Sequence, residues 1–194
     1  MNRFHRWYCR TGHWRHTIQD QIVPWVLRGI DLGDRVLEIG PGPGLTTDVV
    51  ARDVRSLTAV EIDADLAARL RDRFAGTNVT VETGDATELP YPDGTFTGAV
   101  SFTMLHHVPS AELQDRLLRE VRRVLRPGGV FAGSDSRTSP VFRLAHVADT
   151  MVLVDPETMS ERLADAGFTA VDVQVAKGAF RFRATVPTDG STSI

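Results

Sequence analysis

The stretch that decides the fold is Val36-Leu37-Glu38-Ile39-Gly40-Pro41-Gly42-Pro43-Gly44. An apolar run leads into three closely spaced glycines, and a helical pattern follows from about Leu45. Glycine lets the backbone turn sharply and lets a ligand approach closely. The first turn of a helix offers free amide donors to an anion. The stretch therefore predicts a strand, a ligand-binding loop and a helix that begins near Leu45.

An acidic residue follows this loop at the spacing of a nucleoside-binding unit. Glu61 ends the apolar run 57–60, about twenty residues after the first glycine. At the tip of a strand its carboxylate would accept hydrogen bonds from both ribose hydroxyls. Nicotinamide-binding loops space their glycines Gly-x-Gly-x-x-Gly, and here Gly44 comes one residue too early. A nicotinamide-dependent oxidoreductase is therefore the weaker alternative.

Apolar runs alternate with helical patterns along the rest of the chain. This alternation predicts an α/β fold, with a doubly wound, Rossmann-like, mostly parallel seven-stranded sheet and helices on both faces. The expected strands lie near residues 36–39, 57–60, 79–81, 98–102, 130–132, 170–175 and 180–186. The expected helices are 17–28 with a kink at Pro24, one behind Asp63, one from Ser110 that stops at Pro127, and one from Pro156 to Gly167.

The glycine loop also resembles a known family. With Glu38 two residues before the first glycine, it is similar to the first motif of the class I S-adenosylmethionine-dependent methyltransferases. The resemblance covers roughly residues 28–186 and extends to Gly84-Asp85-Ala86-Thr87. It implies that S-adenosylmethionine is the cofactor and that S-adenosylhomocysteine is the product. The residues it would assign to cofactor binding are Glu38, Gly40, Pro41, Gly42, Gly44, Glu61, Ile62, Asp85, Ala86, Ser101 and Phe102.

Each of these family roles is specific. Glu38 would orient the methionine end, Glu61 would hold the ribose and Ile62 would lie against the adenine. Asp85 would accept a hydrogen bond from the adenine amino group, with the Ala86 amide facing the ring. The plain alternative for Asp85 is that it caps a turn.

The segment Ser101-Phe102-Thr103-Met104-Leu105-His106-His107-Val108 ends the fourth strand, where it would face the methyl group. It is similar to the small-molecule subgroup that includes the quinone-biosynthesis methyltransferases. It lacks the Asn/Asp-Pro-Pro-aromatic motif of enzymes that methylate nucleic-acid bases. We expect His106, His107 and Tyr8 to contact the substrate, and His106 to be the candidate base. The alternative is that His106 only binds loop backbone.

The chain divides into three regions by sequence. Residues 1–30 form a basic and aromatic arm with a helix, either a lid over the site or a packed structural element. Residues 31–186 form the methyltransferase domain, and residues 187–194 form a tail expected to be disordered. The segment 135–155 would add to the substrate wall or to the core, through side chains that include Val141, Phe142, Leu144, Met151, Val152 and Leu153.

Composition narrows the function classes. The net charge is −3, which gives no support to a general nucleic-acid binder. No apolar run is long enough to span a membrane, and Cys9 is the single cysteine. We therefore expect no nucleic-acid partner and a cytoplasmic location, while the resemblance implies a small-molecule acceptor. His13 and His16 lack the further ligands of a metal site, and His146 is expected to be structural. A catalytically silent cofactor-binding module is the second alternative.

Overall fold

The computed structural model describes residues 11–137 and 151–188. Seven strands form one sheet in this part of the chain. They are β1 (Arg35–Ile39), β2 (Ser56–Glu61), β3 (Val79–Thr83), β4 (Phe96–Phe102), β5 (Leu125–Ser136), β6 (Thr169–Val175) and β7 (Ala179–Thr185). Their order is β3-β2-β1-β4-β5-β7-β6, with only β7 antiparallel to its neighbours. This confirms the predicted seven-stranded, mostly parallel sheet.

Five helices accompany the sheet in the described residues. The first, α1, runs without a break through Gly12–His16, a π-helical stretch Thr17–Ile22, and Val23–Leu27. The others are α2 (Thr47–Asp53), α3 (Ala64–Arg73), α4 (Ala111–Val124) and α5 (Pro156–Asp165). A short 3₁₀ turn covers Leu105–His107.

Three helix boundaries differ from those that the sequence predicts. The π-helical stretch precedes Pro24, which has no N–H to donate, and the Val23 N–H donates five residues back to the Ile18 carbonyl. The glycine loop ends in a turn, closed by the Gly44 N–H on the Pro41 carbonyl at 2.9 Å. Helix α2 therefore begins two residues after Leu45. Helix α4 ends at Val124, before Pro127.

Side chains of the sheet alternate between two apolar layers. In β1, Leu37 and Ile39 point into a layer that α4 and α5 cover, for example with Leu117 and Met159. Val36 points into the opposite layer, which α1, α2 and α3 cover. Helices therefore protect both faces, as a parallel sheet requires.

The strand order reverses beside β1. From β1 the chain moves outward to β2 and β3, then returns to place β4 on the other side of β1. A crevice opens outside the carboxyl ends of strands at such a switch point, and this is where ligands bind in open α/β sheets. The glycine loop and the segment 101–108 both lie at this end of the sheet.

Candidate active site

A cavity of about 370 Å³ lies at the carboxyl ends of β1, β2 and β4. Its wall includes the glycine loop, the end of β2, the turn after β3, the segment after β4, and two residues of α1. Predicted site residues in this wall are Gly40, Pro41, Gly42, Glu61, Ile62, Asp85, Ala86, Phe102 and His107. With Leu113 and Leu117 of α4, the structure thus brings together residues from six separate parts of the chain.

Gly40 and Gly44 are needed in the loop for different structural reasons. Gly40 has a φ of +64°, and a Cβ there would lie 2.2 Å from the Met104 Cγ. Only glycine fits at this position, because both the backbone angle and the space exclude a side chain. Gly44 faces away from the cavity, and a Cβ there would lie 2.7 Å from the Leu70 Cδ2. Gly44 therefore allows α3 to pack closely on the loop.

Glu61 is a buried carboxylate at the end of β2. It is 6% exposed, lines the cavity, and accepts hydrogen bonds from the Gly42 N–H and the Asp63 N–H, both at 3.0 Å. These bonds fix the carboxylate against the glycine loop. Each carboxylate oxygen has more than one acceptor direction, so the group can also accept hydrogen bonds from a ligand.

Glu38 lies behind the loop rather than in the cavity wall. Its two carboxylate oxygens accept hydrogen bonds from the Thr46 hydroxyl and, at 2.7 Å, from the Thr47 hydroxyl. Burial raises the pKa of Glu38 to about 7, although the two hydroxyl donors act in the opposite direction. In this structure Glu38 braces the start of α2.

The turn after β3 supplies both polar and apolar surface. One Asp85 carboxylate oxygen accepts the Thr87 N–H at 2.8 Å, as a turn cap would, while Asp85 and Ala86 both line the cavity. Ile62, which also lines the cavity, is 70% exposed. Together with Ala86 it gives this part of the wall an apolar surface.

The segment after β4 forms the other end of the cavity. Phe102, Thr103, Met104 and His107 line it, whereas Ser101 is buried in the strand. Thr103 has a φ of +50°, which is uncommon for a residue other than glycine. Such a conformation is retained where the surrounding structure holds it, often at functional sites.

His106 is buried rather than in the cavity wall. Its Nδ1 lies 2.5 Å from the Asp135 carboxylate, and its backbone N–H donates to the same carboxylate at 3.1 Å. Its carbonyl accepts the Val152 N–H at 2.9 Å. The ring of His107 lies 4.1 Å from that of His106, centroid to centroid. His106 therefore joins the loop to β5, and His107 is the histidine that reaches the cavity.

Several wall residues were not predicted from the sequence. Trp14 and Ile18 of α1 line the cavity, as does Met104. Trp14 stood out only as part of an aromatic arm and no local motif marked Ile18, whereas Met104 lay within the predicted segment 101–108 without a role of its own. Asp135, the partner of His106, is separated from it by 29 residues, so nothing local indicated the pair. Tyr8, Val141, Phe142, Leu144 and His146 lie outside the described residues.

The donors and acceptors of the cavity fit an adenosine-like ligand. Acidic acceptors for hydroxyl and amino groups come from Glu61, Asp63 and Asp85, and the apolar surface for a purine comes from Ile62 and Ala86. The open face of the glycine loop admits a ligand against the backbone at Gly42, where a Cβ would meet no protein atom within 4 Å. Glu61, Asp85 and Ile62 are therefore suited to hold the nucleoside of S-adenosylmethionine.

The sheet order, the glycine loop and the acid at the end of β2 together define a class I S-adenosylmethionine-dependent methyltransferase domain. Residues 37–133 match the family model described as a methyltransferase domain, and the chain belongs to that family. The cofactor of this family is S-adenosylmethionine. No helix in the described residues is long and apolar enough to cross a membrane.

Curated relatives carry out different methylations. The chain is 35% identical over 155 residues to a ribosomal RNA small subunit methyltransferase A of Bordetella petrii, which covers 71% of this chain and 58% of the relative. It is 32% identical over 170 residues to the chloroplastic 2-methyl-6-phytyl-1,4-hydroquinone methyltransferase 2 of Oryza sativa subsp. japonica, covering 84% and 47%. The chain thus spans about half the length of these relatives.

A solved structure shows the same fold. The phosphoethanolamine N-methyltransferase 2 of Haemonchus contortus, in complex with S-adenosyl-L-methionine, superposes with a TM-score of 0.72 at 15% identity. The match covers 97% of this chain and 61% of that one. At this identity the likeness extends to the fold alone.

Proposed function

We propose that this chain transfers a methyl group from S-adenosylmethionine to a small, largely apolar acceptor. The observation that carries the proposal is the continuity of the cavity. One space of about 370 Å³ runs from the nucleoside-binding end, at Glu61 and Asp85, to an apolar end at Phe102 and Met104. A cofactor and a small acceptor would therefore meet inside it.

Methyl transfer from a sulfonium mainly requires that the two reactants be positioned correctly. Bound there, S-adenosylmethionine supplies an electrophilic methyl group on a sulfonium with a neutral leaving group. The protein's task is to align the acceptor with that group and to exclude water. The buried Glu61 and the glycine loop would fix one reactant. Met104, Thr103 and α1 would confine the other.

A hydroxyl acceptor or an activated carbon also needs a general base to accept its proton. His107 is the better candidate for this base, because it lines the cavity while His106 is 2% exposed and bound to Asp135. Histidine is the side chain suited to proton transfer near neutral pH. In this proposal His106 orients the segment that carries His107.

The choice of a small acceptor rests on the cavity wall and on a missing motif. The end formed by Phe102, Met104, Val108 and Leu113 is apolar. Residues 103–108 lack the Asn/Asp-Pro-Pro-aromatic motif of base methylation. The net charge of −3 also gives no general attraction for RNA phosphates. A ribosomal RNA acceptor is the rival, because relatives with that name match most of this chain.

A labelling experiment distinguishes the two acceptors. The protein is incubated with S-adenosylmethionine tritiated on its methyl group and with either a cell extract of small molecules or purified small-subunit ribosomal RNA. We expect label in the organic-soluble fraction and none in the RNA. Label in the RNA alone would overturn the small-molecule acceptor. Binding of S-adenosylhomocysteine with no label in either would favour a silent binding module.

A further inference from the structure

The outer side of the glycine loop is held by side chains from two distant helices. The Pro43 carbonyl accepts a hydrogen bond from the Arg73 Nη1 at 2.8 Å, and the Leu45 carbonyl accepts one from the Gln19 Nε2 at 3.1 Å. Arg73 belongs to α3 and Gln19 to α1. Two carbonyls at the loop are therefore fixed by side chains that do not line the cavity.

Asp48 joins these two side chains to each other. Both of its carboxylate oxygens accept from the Arg73 Nη2, and one also accepts from the Gln19 Nε2 at 3.3 Å. The guanidinium is 38% exposed and the carboxylate 19% exposed. A charge-assisted pair in this partly sheltered position is stronger and more directional than a neutral hydrogen bond.

The clamp Gln19–Asp48–Arg73 is directly connected to the cavity wall. Gln19 follows Ile18, which is 2% exposed and lines the cavity, and Trp14 lies one turn earlier on the same helix. Trp14 lies in the α-helical part of α1 before the π-helical stretch Thr17–Ile22, and Ile18 lies within that stretch. A shift of Gln19 would therefore move Ile18 and Trp14 relative to the glycine loop.

The inner side of the loop has its own bond, from the Gly42 N–H to Glu61. The loop is thus held between Glu61 on the cavity side and the clamp on the outer side. A loop held from both sides keeps its backbone in the bound geometry before the ligand arrives. Such preorganisation raises affinity without any new contact to the ligand.

We propose that Gln19, Asp48 and Arg73 are positioning residues for the cofactor, which hold α1 against the glycine loop without touching the ligand. The inference rests on the proposed cofactor site. It makes affinity for S-adenosylhomocysteine depend on side chains outside the cavity wall. A purely structural role would instead lower the melting temperature and leave the affinity of the folded protein unchanged.

Calorimetric titration of S-adenosylhomocysteine into the full chain tests this proposal. Gln19→Ala removes both bonds from α1 and should weaken binding about five- to tenfold, while the melting temperature changes little. Gln19→Glu keeps the shape but faces Asp48 with a like charge, and it should weaken binding further. Asp20→Ala is the matched control, because Asp20 is the next residue and its carboxylate contacts the exposed His16.

Each outcome decides something different. If the wild type binds and both Gln19 variants bind as tightly as the Asp20 variant, the positioning role is wrong while the cofactor site stands. If the Gln19 variants melt at a much lower temperature but bind normally once folded, the clamp is only structural. If the wild type does not bind S-adenosylhomocysteine at all, the proposed function and this inference both fail.

Discussion

The proposed nucleoside end of the cavity is built around residues that are close in the sequence, whereas the proposed acceptor end is built from contacts between distant segments. Gly40, Gly42 and Glu61 belong to a single strand–loop–helix–strand unit. The acceptor end depends on the pairing of His106 with Asp135 and on the bond from Gln114 to the carbonyl of Val152. Local motifs therefore reveal the first end and leave much of the second undefined.

The largest effect should come from breaking the buried pair at the acceptor end. His106→Ala leaves the Asp135 carboxylate, which is 0% exposed, without its ring partner. The carboxylate loses a buried hydrogen-bond partner and the missing ring leaves a cavity, which together cost about 3–5 kcal/mol of unfolding free energy. Urea denaturation measures this cost.

An exposed pair in the same protein is the control for that experiment. His16 contacts Asp20 at 2.7 Å, but the side chains are 63% and 62% exposed. Losing this exposed contact in His16→Ala should lower the free energy of unfolding by less than about 1 kcal/mol. Equal losses in the two variants would mean that burial of the His106 pair does not organise the acceptor end.

Glu38 should give the protein a measurable pH dependence. Its folded pKa of about 7 lies above the ordinary glutamate value of about 4.5, so the folded state holds the proton more tightly than the unfolded state. This stabilising contribution is complete below the unfolded pKa and is lost as the pH rises through about 7. The contribution amounts to about 3 kcal/mol.

Glu38→Gln removes this titration. Between about pH 4.5 and pH 8, the variant should therefore gain stability relative to the wild type, as measured by urea denaturation at each pH. Glu161→Gln, at an exposed carboxylate, corrects for the general loss of one negative charge. If the stability difference between Glu38→Gln and the wild type does not change with pH, the pKa of Glu38 is the same in the folded and unfolded states and burial does not raise it.

A smaller loss of stability is expected at Gly40, which packs against Met104 of the segment after β4. In Gly40→Ala the new methyl group would collide with Met104 and would also occupy a φ of +64°. Gly76→Ala carries the same backbone strain at +77°, with no atom within 4 Å. We expect Gly40→Ala to be about 2 kcal/mol less stable than Gly76→Ala by thermal unfolding. Equal stability would show that Met104 moves aside freely.

The sequence predicted the seven strands, because apolar runs and glycine turns are local properties. Of the residues expected to bind the cofactor, Gly40, Glu61, Ile62 and Asp85 line the cavity. Glu38 and Gly44 do not line it, since a linear motif does not show which side of a loop a residue faces. The role of His106 depends on Asp135, and only the folded sheet brings these two together.

The last substitution concerns affinity rather than stability. Glu61→Ala removes the acceptor that we expect to hold the ribose, together with the bonds from the Gly42 and Asp63 N–H groups. Binding of S-adenosylhomocysteine should weaken by about 1–3 kcal/mol, or roughly 5- to 150-fold, with the fold intact. Calorimetry on folded protein measures this, and an unchanged dissociation constant would reduce Glu61 to a brace for the loop.

The most direct test of the central claim is a calorimetric titration of the wild-type protein with S-adenosylhomocysteine and, separately, with NADH. The cavity joins a glycine loop to the carboxylates of Glu61 and Asp85, which we propose hold the ribose and the adenine, and Gly44 comes too early for a nicotinamide loop. We predict one site for S-adenosylhomocysteine with a dissociation constant on the order of micromolar, and no binding of NADH. Binding of NADH with no binding of S-adenosylhomocysteine would contradict it.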